Sequence, residues 1–150
     1  QPKLIAQAIQ ADLKKIGIKA EITSYDWGTY LDKTGNGEHD MALLGWTGAN
    51  GDPDNFLYVL LDKDNAVKGG AGNKAFYRSD ELHDILIEAQ VTLDKDKRTK
   101  LYKQAQEIIH EDNPWVPLVH STPPIVLKNG VMGYIPSPLG VEKLNNVWKK

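Results

Sequence analysis

The residue types that carry catalysis and metal binding occur in this chain without the spacings that those chemistries need. No Gly-x-Ser-x-Gly, Walker or Gly-x-Gly-x-x-Gly pattern is present, so a nucleophile elbow and a phosphate-binding loop have no support. Asp52 and Asp54 flank Pro53, but the further oxygen ligands of a calcium loop do not follow. The histidines show neither a His-Glu-x-x-His pattern nor pairing at i and i+4; they are His39, His83, His110 and His120. We therefore expect no enzyme, no catalytic residue, no metal site and no cofactor.

One block has a composition suited to holding a small ligand. Residues 45–56 read GWTGANGDPDNF and directly follow an apolar run at 41–44. In open α/β sheets, ligands collect beyond the carboxyl ends of strands, and glycines there let the backbone approach the ligand. Trp46 adds a large apolar face with one hydrogen-bond donor. The composition also allows a tight strand-to-helix connection in which Trp46 packs on the core.

The composition of the chain limits its partners. Its 150 residues, 41% hydrophobic and 25% charged, fit one globular domain. The net charge is −2 and the lysines are spread along the chain, so nucleic acid and anionic lipid are not expected as partners. The absence of cysteine excludes disulfides, thiolate nucleophiles and cysteine-bound zinc.

The beginning of the chain has the character of an internal segment. It starts at Gln1 without an initiator methionine or a signal peptide, so we expect any export signal to lie upstream. No apolar run reaches the roughly 18 residues that a membrane-spanning helix needs.

The hydrophobic pattern predicts alternating helices and strands in the first part of the chain. Apolar residues at helical spacing predict a helix over 2–16, which a glycine ends. Alternation over 18–23 predicts a half-buried strand. Asp26 is the expected N-cap of a short helix that ends in the turn at 35–37. The apolar run at 41–44 predicts a central buried strand, which makes an α/β layer.

The second part of the chain is expected to be mainly helical. Residues 56–61 predict one or two helical turns, capped by Asp54 or Asn55. Two longer helices begin at Ser79 and Asp94 and form a hairpin. The remaining expectations are a surface loop over 62–74, a proline-interrupted edge strand over 115–119 and an irregular tail from His120.

The block at 45–56 closely resembles the dipeptide-binding branch of the family 5 extracellular solute-binding proteins. Further segments resemble the same proteins in the same order; they are residues 7–13 with 17–18, 27–31, 37–39, 101–106 and 119–122. The resemblance implies the C-terminal portion of a two-lobed protein with the type II periplasmic-binding-protein fold, an α/β class with helices packed on a mixed sheet. Residues 1–119 would form the later part of the second lobe. Residues 120–150 would cross the hinge and finish in the first lobe.

The resemblance also implies a function. Such a protein is extracytoplasmic, in the periplasm or on the cell surface as a lipoprotein. It captures small peptides of the dipeptide class and delivers them to the membrane permease subunits of an ABC importer. Its two lobes close on the ligand by a hinge motion. One lobe supplies only part of the wall around the ligand, so residues 1–150 alone are expected to bind weakly and to be able to self-associate.

By the same resemblance, the ligand-binding residues are an aromatic side chain, Trp27, and a strand-end segment that contacts the ligand through its backbone: Trp46, Thr47, Gly48, Ala49 and Asn50. The alternative for Trp27 is a core residue on a short helix. The family places a carboxylate for the peptide's α-ammonium group where this chain has Ala49, and the basic partner for the peptide's carboxylate is expected upstream of Gln1.

The alanine at position 49 leaves the ligand open. Asp52 is the alternative acidic contact, after a rearrangement of the loop. Otherwise the ligand lacks a free ammonium group, as a nickel complex or another small solute of the same family would. An α/β hydrolytic domain and an interaction module without a small ligand are the remaining alternatives.

Overall fold

The helices of the protein lie between residues 2 and 112, and a small strand pair lies near its end. The computed structural model describes residues 2–150. The elements, in chain order, are α1 (Pro2–Lys15), α2 (Trp27–Gly35), α3 (Asp54–Leu61), a 3₁₀ turn (Lys63–Asn65), α4 (Asp80–Val91), α5 (Lys95–Asp112), β1 (Val131–Met132) and β2 (Trp148–Lys149).

The chain divides into two compact units, each made of two stretches of sequence. Unit one contains Gln1–Gly45 and Leu60–Ser79, and unit two contains Trp46–Val59 and Asp80–Lys150. The predicted division at residues 119 and 120 concerns the lobes of a longer protein and stays a prediction.

Local capping explains the two helices that begin the chain. After α1, Gly17 has a φ of +84°, and the N–H groups of Gly17 and Ile18 donate to the carbonyls of Lys14 and Leu13. This is the glycine-ended C-terminus that the sequence predicts. Asp26 caps α2 by accepting from the Thr29 N–H at 3.1 Å. Both predicted helices are confirmed, to within a residue at the end of α1.

The predicted helical hairpin is confirmed in unit two, where α4 packs against α5. The contact face buries one apolar set from each helix; the members are Leu82, Leu86 and Ala89 from α4, and Leu101, Tyr102 and Ala105 from α5. Asp94 caps α5 by accepting from the Lys97 N–H at 2.7 Å. Asn113, in the left-handed region at φ 48°, ends α5 before Pro114.

The strands predicted over 18–23, 41–44 and 115–119 do not form among residues 2–150. The only ladder there is the antiparallel pair of β1 and β2, with Val131 opposite Lys149. A strand needs a neighbour to pair its backbone N–H and C=O groups, and these three segments have none in the described chain. Met41 is 64% exposed, so the expectation of a central buried strand is wrong for this chain, and the expected mixed sheet is reduced to one two-stranded ribbon.

The segment predicted as a surface loop, residues 62–74, is partly buried. Asp62, Ala66, Ala71 and Asn73 are all buried. The Asn73 side chain donates to the carbonyl oxygens of Asp62 and Tyr77, at 3.1 and 2.9 Å. A polar composition therefore misled the prediction, because a buried asparagine satisfies the backbone of the loop in place of water.

Candidate functional site

The candidate site begins with the loop of residues 46–53 in unit two, which leads into α3. Three short polar side chains stabilise this loop by accepting hydrogen bonds from backbone N–H groups. Asn50 Oδ1 accepts from the Asp52 N–H at 3.0 Å, and Asp52 Oδ1 accepts from the Asp54 N–H at 2.9 Å. Asn55 Oδ1 reaches back and accepts from the Ala49 N–H at 3.0 Å. Such side-chain-to-backbone bonds are the usual reason for asparagine and aspartate in turns.

The start of α3 differs slightly from the expectation. The side chain that accepts from the first N–H of the helix belongs to Asp52, not to Asp54 or Asn55. The N–H groups of Asn55 and Phe56 donate to the carbonyls of Asp52 and Pro53, which makes a tight first turn. Proline at this place has no N–H to leave unpaired, so Asp-Pro-Asp-Asn initiates a helix efficiently.

The first residues of the loop present an aromatic face and backbone groups to solvent. Trp46 is 50% exposed, so within this chain it is not a core residue. Thr47, Ala49 and Asn50 are exposed, and Gly48 is half-buried. Among residues 2–150, the N–H groups of Thr47 and Gly48 have no hydrogen-bond partner. The segment therefore offers unused donors beside an indole ring.

Arg98, on the first turn of α5, pairs with Asp52 through both guanidinium arms. Nη1 donates to Asp52 Oδ2 at 3.0 Å, and Nη2 donates to Oδ1 at 2.9 Å. Nε donates to the Ala89 carbonyl at 2.9 Å, and Nη2 also donates to the Tyr102 hydroxyl at 3.0 Å. The Arg98 Cζ lies 4.9 Å from the centre of the Tyr102 ring. Planar, bidentate pairing of this kind is the strong form of an ion pair.

The pair shifts the ionisation of its members. Hydrogen bonds from Arg98, followed by one from the Asp54 backbone, hold the pKa of Asp52 below its ordinary value. The hydrogen bond to Asp52 raises the pKa of Arg98. Burial is the main cause that raises the pKa of Tyr102. Asp52 is therefore a carboxylate, and Arg98 a cation, across the neutral pH range.

A polar hollow lies beside this pair in unit two. Its volume is about 430 Å³, and its lining residues are Asn50, Asp52, Asp54, Gln90 and Arg98. Gln90 Nε2 donates to Asp54 Oδ1 at 2.8 Å, so α4 also contacts the start of α3.

Trp27, the other predicted ligand contact, belongs to unit one. It is the first residue of α2, is 65% exposed, and stacks on Tyr30 with ring centres 6.1 Å apart. The Tyr30 hydroxyl donates to the Leu43 carbonyl and accepts from the Leu43 N–H. The exposure argues against the alternative of a core tryptophan. The other six predicted residues, from Trp46 to Asn50 together with Asp52, lie in unit two.

Sequence reasoning missed Arg98. Only two weak features of the sequence point to Arg98. The other long basic side chains of its helix are lysines, and a tyrosine follows it four residues later. Arginine is the side chain suited to a bidentate carboxylate partner. Its partner, Asp52, lies 46 positions away in the sequence, so only the packing of α5 reveals the pair.

No helix among residues 2–150 combines the length and apolar character needed to cross a membrane.

A family model and two named relatives all relate this chain to bacterial binding proteins. Residues 1–68 match the model of the "Bacterial extracellular solute-binding proteins, family 5 Middle". The chain is 41% identical over 143 residues to the "Dipeptide-binding protein" of Escherichia coli K12, which covers 95% of this chain and 26% of that protein. It is also 41% identical over 146 residues to "Heme-binding protein A" of Haemophilus influenzae, covering 97% of this chain and 26% of that protein.

A solved structure extends the similarity to three dimensions. The periplasmic binding protein DppA of Helicobacter pylori, determined in complex with the peptide STSA, matches with a TM-score of 0.85 and 42% identity, over 99% of this chain and 29% of that one. The chain thus spans about a quarter of the length of the relatives that it matches. Its helix-rich architecture with a small sheet is consistent with part of an α/β lobe.

Proposed function

We propose that this chain is part of a bacterial extracellular solute-binding protein of family 5, and that its whole protein is the substrate-binding component of an ABC importer. It captures small peptides of the dipeptide class between two lobes and delivers them to permease subunits in the membrane. The observation that carries this proposal is the match to a peptide-bound binding protein, with a TM-score of 0.85 over 99% of the chain.

The geometry of the loop supports a peptide ligand. The unused N–H groups of Thr47 and Gly48 are suited to the carbonyl groups that every peptide carries. The exposed faces of Trp46 and Trp27 are suited to apolar side chains of varied shape. Recognition through the backbone leaves the ligand side chains free to vary, and the exclusion of water on closure strengthens each polar contact. We therefore propose Trp27 and the segment from Trp46 to Asn50 as the ligand contacts.

The ligand's amino end is not matched by a free carboxylate in this segment. The methyl group of Ala49 cannot pair with an ammonium group, and both oxygens of Asp52 already accept from Arg98. A peptide bound here would have its ammonium group held by other parts of the protein. In this proposal Asp52, expected as an alternative acidic contact, is paired with Arg98 and does not contact the ligand.

A second candidate ligand is a small solute without an ammonium group. The similarity to a protein named for heme binding, 41% identical over 97% of this chain, favours this class beside peptides. A nickel complex belongs to the same class. In every case the protein acts outside the cytoplasm, as a periplasmic protein or a surface lipoprotein, and binds without catalysis.

Calorimetry of the full-length protein separates these candidates. The ligands are a free dipeptide, a tripeptide, the same dipeptide with an acetylated amino end, heme and nickel. We expect saturable binding of the dipeptide and tripeptide. If the acetylated dipeptide binds with similar affinity, the site does not require a free ammonium group on the ligand. If no peptide binds and heme or nickel does, the second candidate replaces the first.

A further inference from the structure

We infer that Arg98 is a positioning residue for the ligand-facing loop, and that Asp52 serves this loop as the anchor of Arg98 and not as a ligand contact. The inference rests on the proposed function, because that proposal assigns residues 46–50 of the loop to ligand binding. Its structural part, the anchoring of the loop, is tested independently of any ligand.

A single guanidinium joins three elements of unit two. Arg98 is held on α5, where it also contacts Tyr102, a buried residue of the same helix. Its Nε donates to the carbonyl of Ala89, which lies in the last turn of α4. Carbonyls in the last turn of a helix have no partner within the helix, and a cation is favourable there. The two Nη atoms of the guanidinium donate to Asp52 in the loop.

From Asp52, two hydrogen bonds and the covalent link between Asp54 and Asn55 lead to the ligand-facing backbone. The Asp52 carboxylate accepts from the Asp54 N–H and so fixes the first turn of α3. That turn carries Asn55, whose side chain accepts from the Ala49 N–H. The position of Ala49 therefore depends on the α4–α5 hairpin through Arg98, Asp52 and Asn55.

The electrostatics of the pair oppose a direct role for Asp52 in ligand binding. A carboxylate whose two oxygens accept from one guanidinium has its charge balanced at close range. An incoming ammonium group would compete with the bidentate guanidinium of Arg98. A bidentate pair is stronger than a contact with a single ammonium group, so Asp52 is expected to stay paired with Arg98.

The two roles for Asp52 predict opposite effects of one substitution in the full-length protein. If the pair positions the loop, Asp52→Asn and Arg98→Gln each weaken dipeptide binding by roughly tenfold, and the double variant is no weaker than either. If Asp52 contacts the ligand's ammonium group, Arg98→Gln frees the carboxylate. That variant then binds the free dipeptide more tightly and leaves the acetylated dipeptide unaffected.

A matched control lies next to Arg98 on the same helix. Lys97 pairs with Glu88 across the exposed side of the hairpin, with Nζ 2.6 Å from Oε1. Lys97→Gln removes an ion pair between α4 and α5 without a contact to the loop, so affinity is expected to stay at the wild-type value. Arg98→Lys keeps the positive charge but cannot make the bidentate pair with Asp52, so an intermediate affinity is expected.

Hydrogen–deuterium exchange supplies the readout that needs no ligand. In peptides that cover residues 46–56, exchange is expected to accelerate in Asp52→Asn and Arg98→Gln and to stay unchanged in Lys97→Gln. If the wild type binds no peptide, the proposed function fails, while this exchange pattern still decides the positioning role. Unchanged exchange in Arg98→Gln, or tighter dipeptide binding by it, would overturn the inference.

Discussion

At the scale of single residues, the candidate site combines an aromatic face, backbone donors and a charge that is already paired. Trp46 and the N–H groups that follow it are accessible, whereas Asp52 is engaged by Arg98. In the proposed function, discrimination at this loop would therefore depend on shape and on hydrogen bonds to the ligand backbone more than on ionic attraction.

Trp46 is expected to contribute a large share of the affinity of this loop. Large aromatic residues dominate binding energies because they bury much apolar area with few rotatable bonds. Trp46→Ala in the full-length protein should weaken dipeptide binding by at least about tenfold. Trp46→Phe, which keeps an aromatic face, is the control and should lose much less. Calorimetry makes the comparison, and equal affinities of Trp46→Ala and the wild type would contradict this role.

The Asp52–Arg98 pair also predicts how stability depends on pH. The folded pKa of Asp52 lies below the ordinary value of 3.8, mainly because Arg98 donates to it. The unfolded state then binds the proton more readily, so the stabilisation is complete above the ordinary value and is lost as pH falls through the folded value. The difference in melting temperature between the wild type and Asp52→Asn should therefore be largest near pH 7 and shrink below about pH 4. A constant difference across this range would contradict the assignment.

The roles of individual residues, in the helix caps and in this site, differ in how far the sequence predicts them. The caps at Asp26 and Asp94 follow from local rules, since each side chain bonds a backbone N–H three residues later. The exposure of Trp46 and the pairing of Asp52 depend on packing between distant segments. No local pattern contains that information, so the role of Arg98 appears only in three dimensions.

At the scale of elements, the helices were predictable and the strands were not. A helix satisfies its own backbone, so its periodic pattern and caps predict it even in part of a protein. A strand depends on a neighbour that its own sequence does not specify. The segments at 18–23 and 41–44 have strand-like patterns but no partner in the described chain, which is why these predictions failed.

The α4–α5 hairpin is expected to be the main stabilising element of unit two. Leu86, on α4, is 0% exposed, whereas its neighbour Ile87 is 37% exposed. Leu86→Ala removes buried methyl groups and leaves a cavity, so it should lower the free energy of unfolding by about 2–5 kcal/mol. Ile87→Ala is the matched control and should have a much smaller effect. Urea unfolding followed by the helical circular dichroism signal measures both, and similar losses would show that the hairpin contact is not central.

At the scale of the whole molecule, the described chain leaves much apolar surface uncovered. The large exposed side chains concentrate in segments without regular structure; they include Ile18, Ile22, Met41, Leu44, Val116, Val119 and Val126. The chain also spans only about a quarter of the length of its relatives. Both observations are consistent with part of an α/β lobe.

The same reasoning predicts that residues 1–150 in isolation bind peptides weakly or not at all. Ligand pockets of this kind cover most of the ligand surface, and closure of two lobes supplies the walls that exclude water. Part of one lobe would leave the ligand hydrated on its open side, so the hydrogen bonds proposed from Thr47 and Gly48 would compete with water at full strength. Calorimetry of the isolated chain, run after circular dichroism has shown its helices to be folded, should give no saturable heat with a dipeptide that the full-length protein binds. Micromolar binding by the isolated chain would mean that the loop at 46–50 and the rest of these residues form a sufficient site by themselves, and that lobe closure adds little to the affinity.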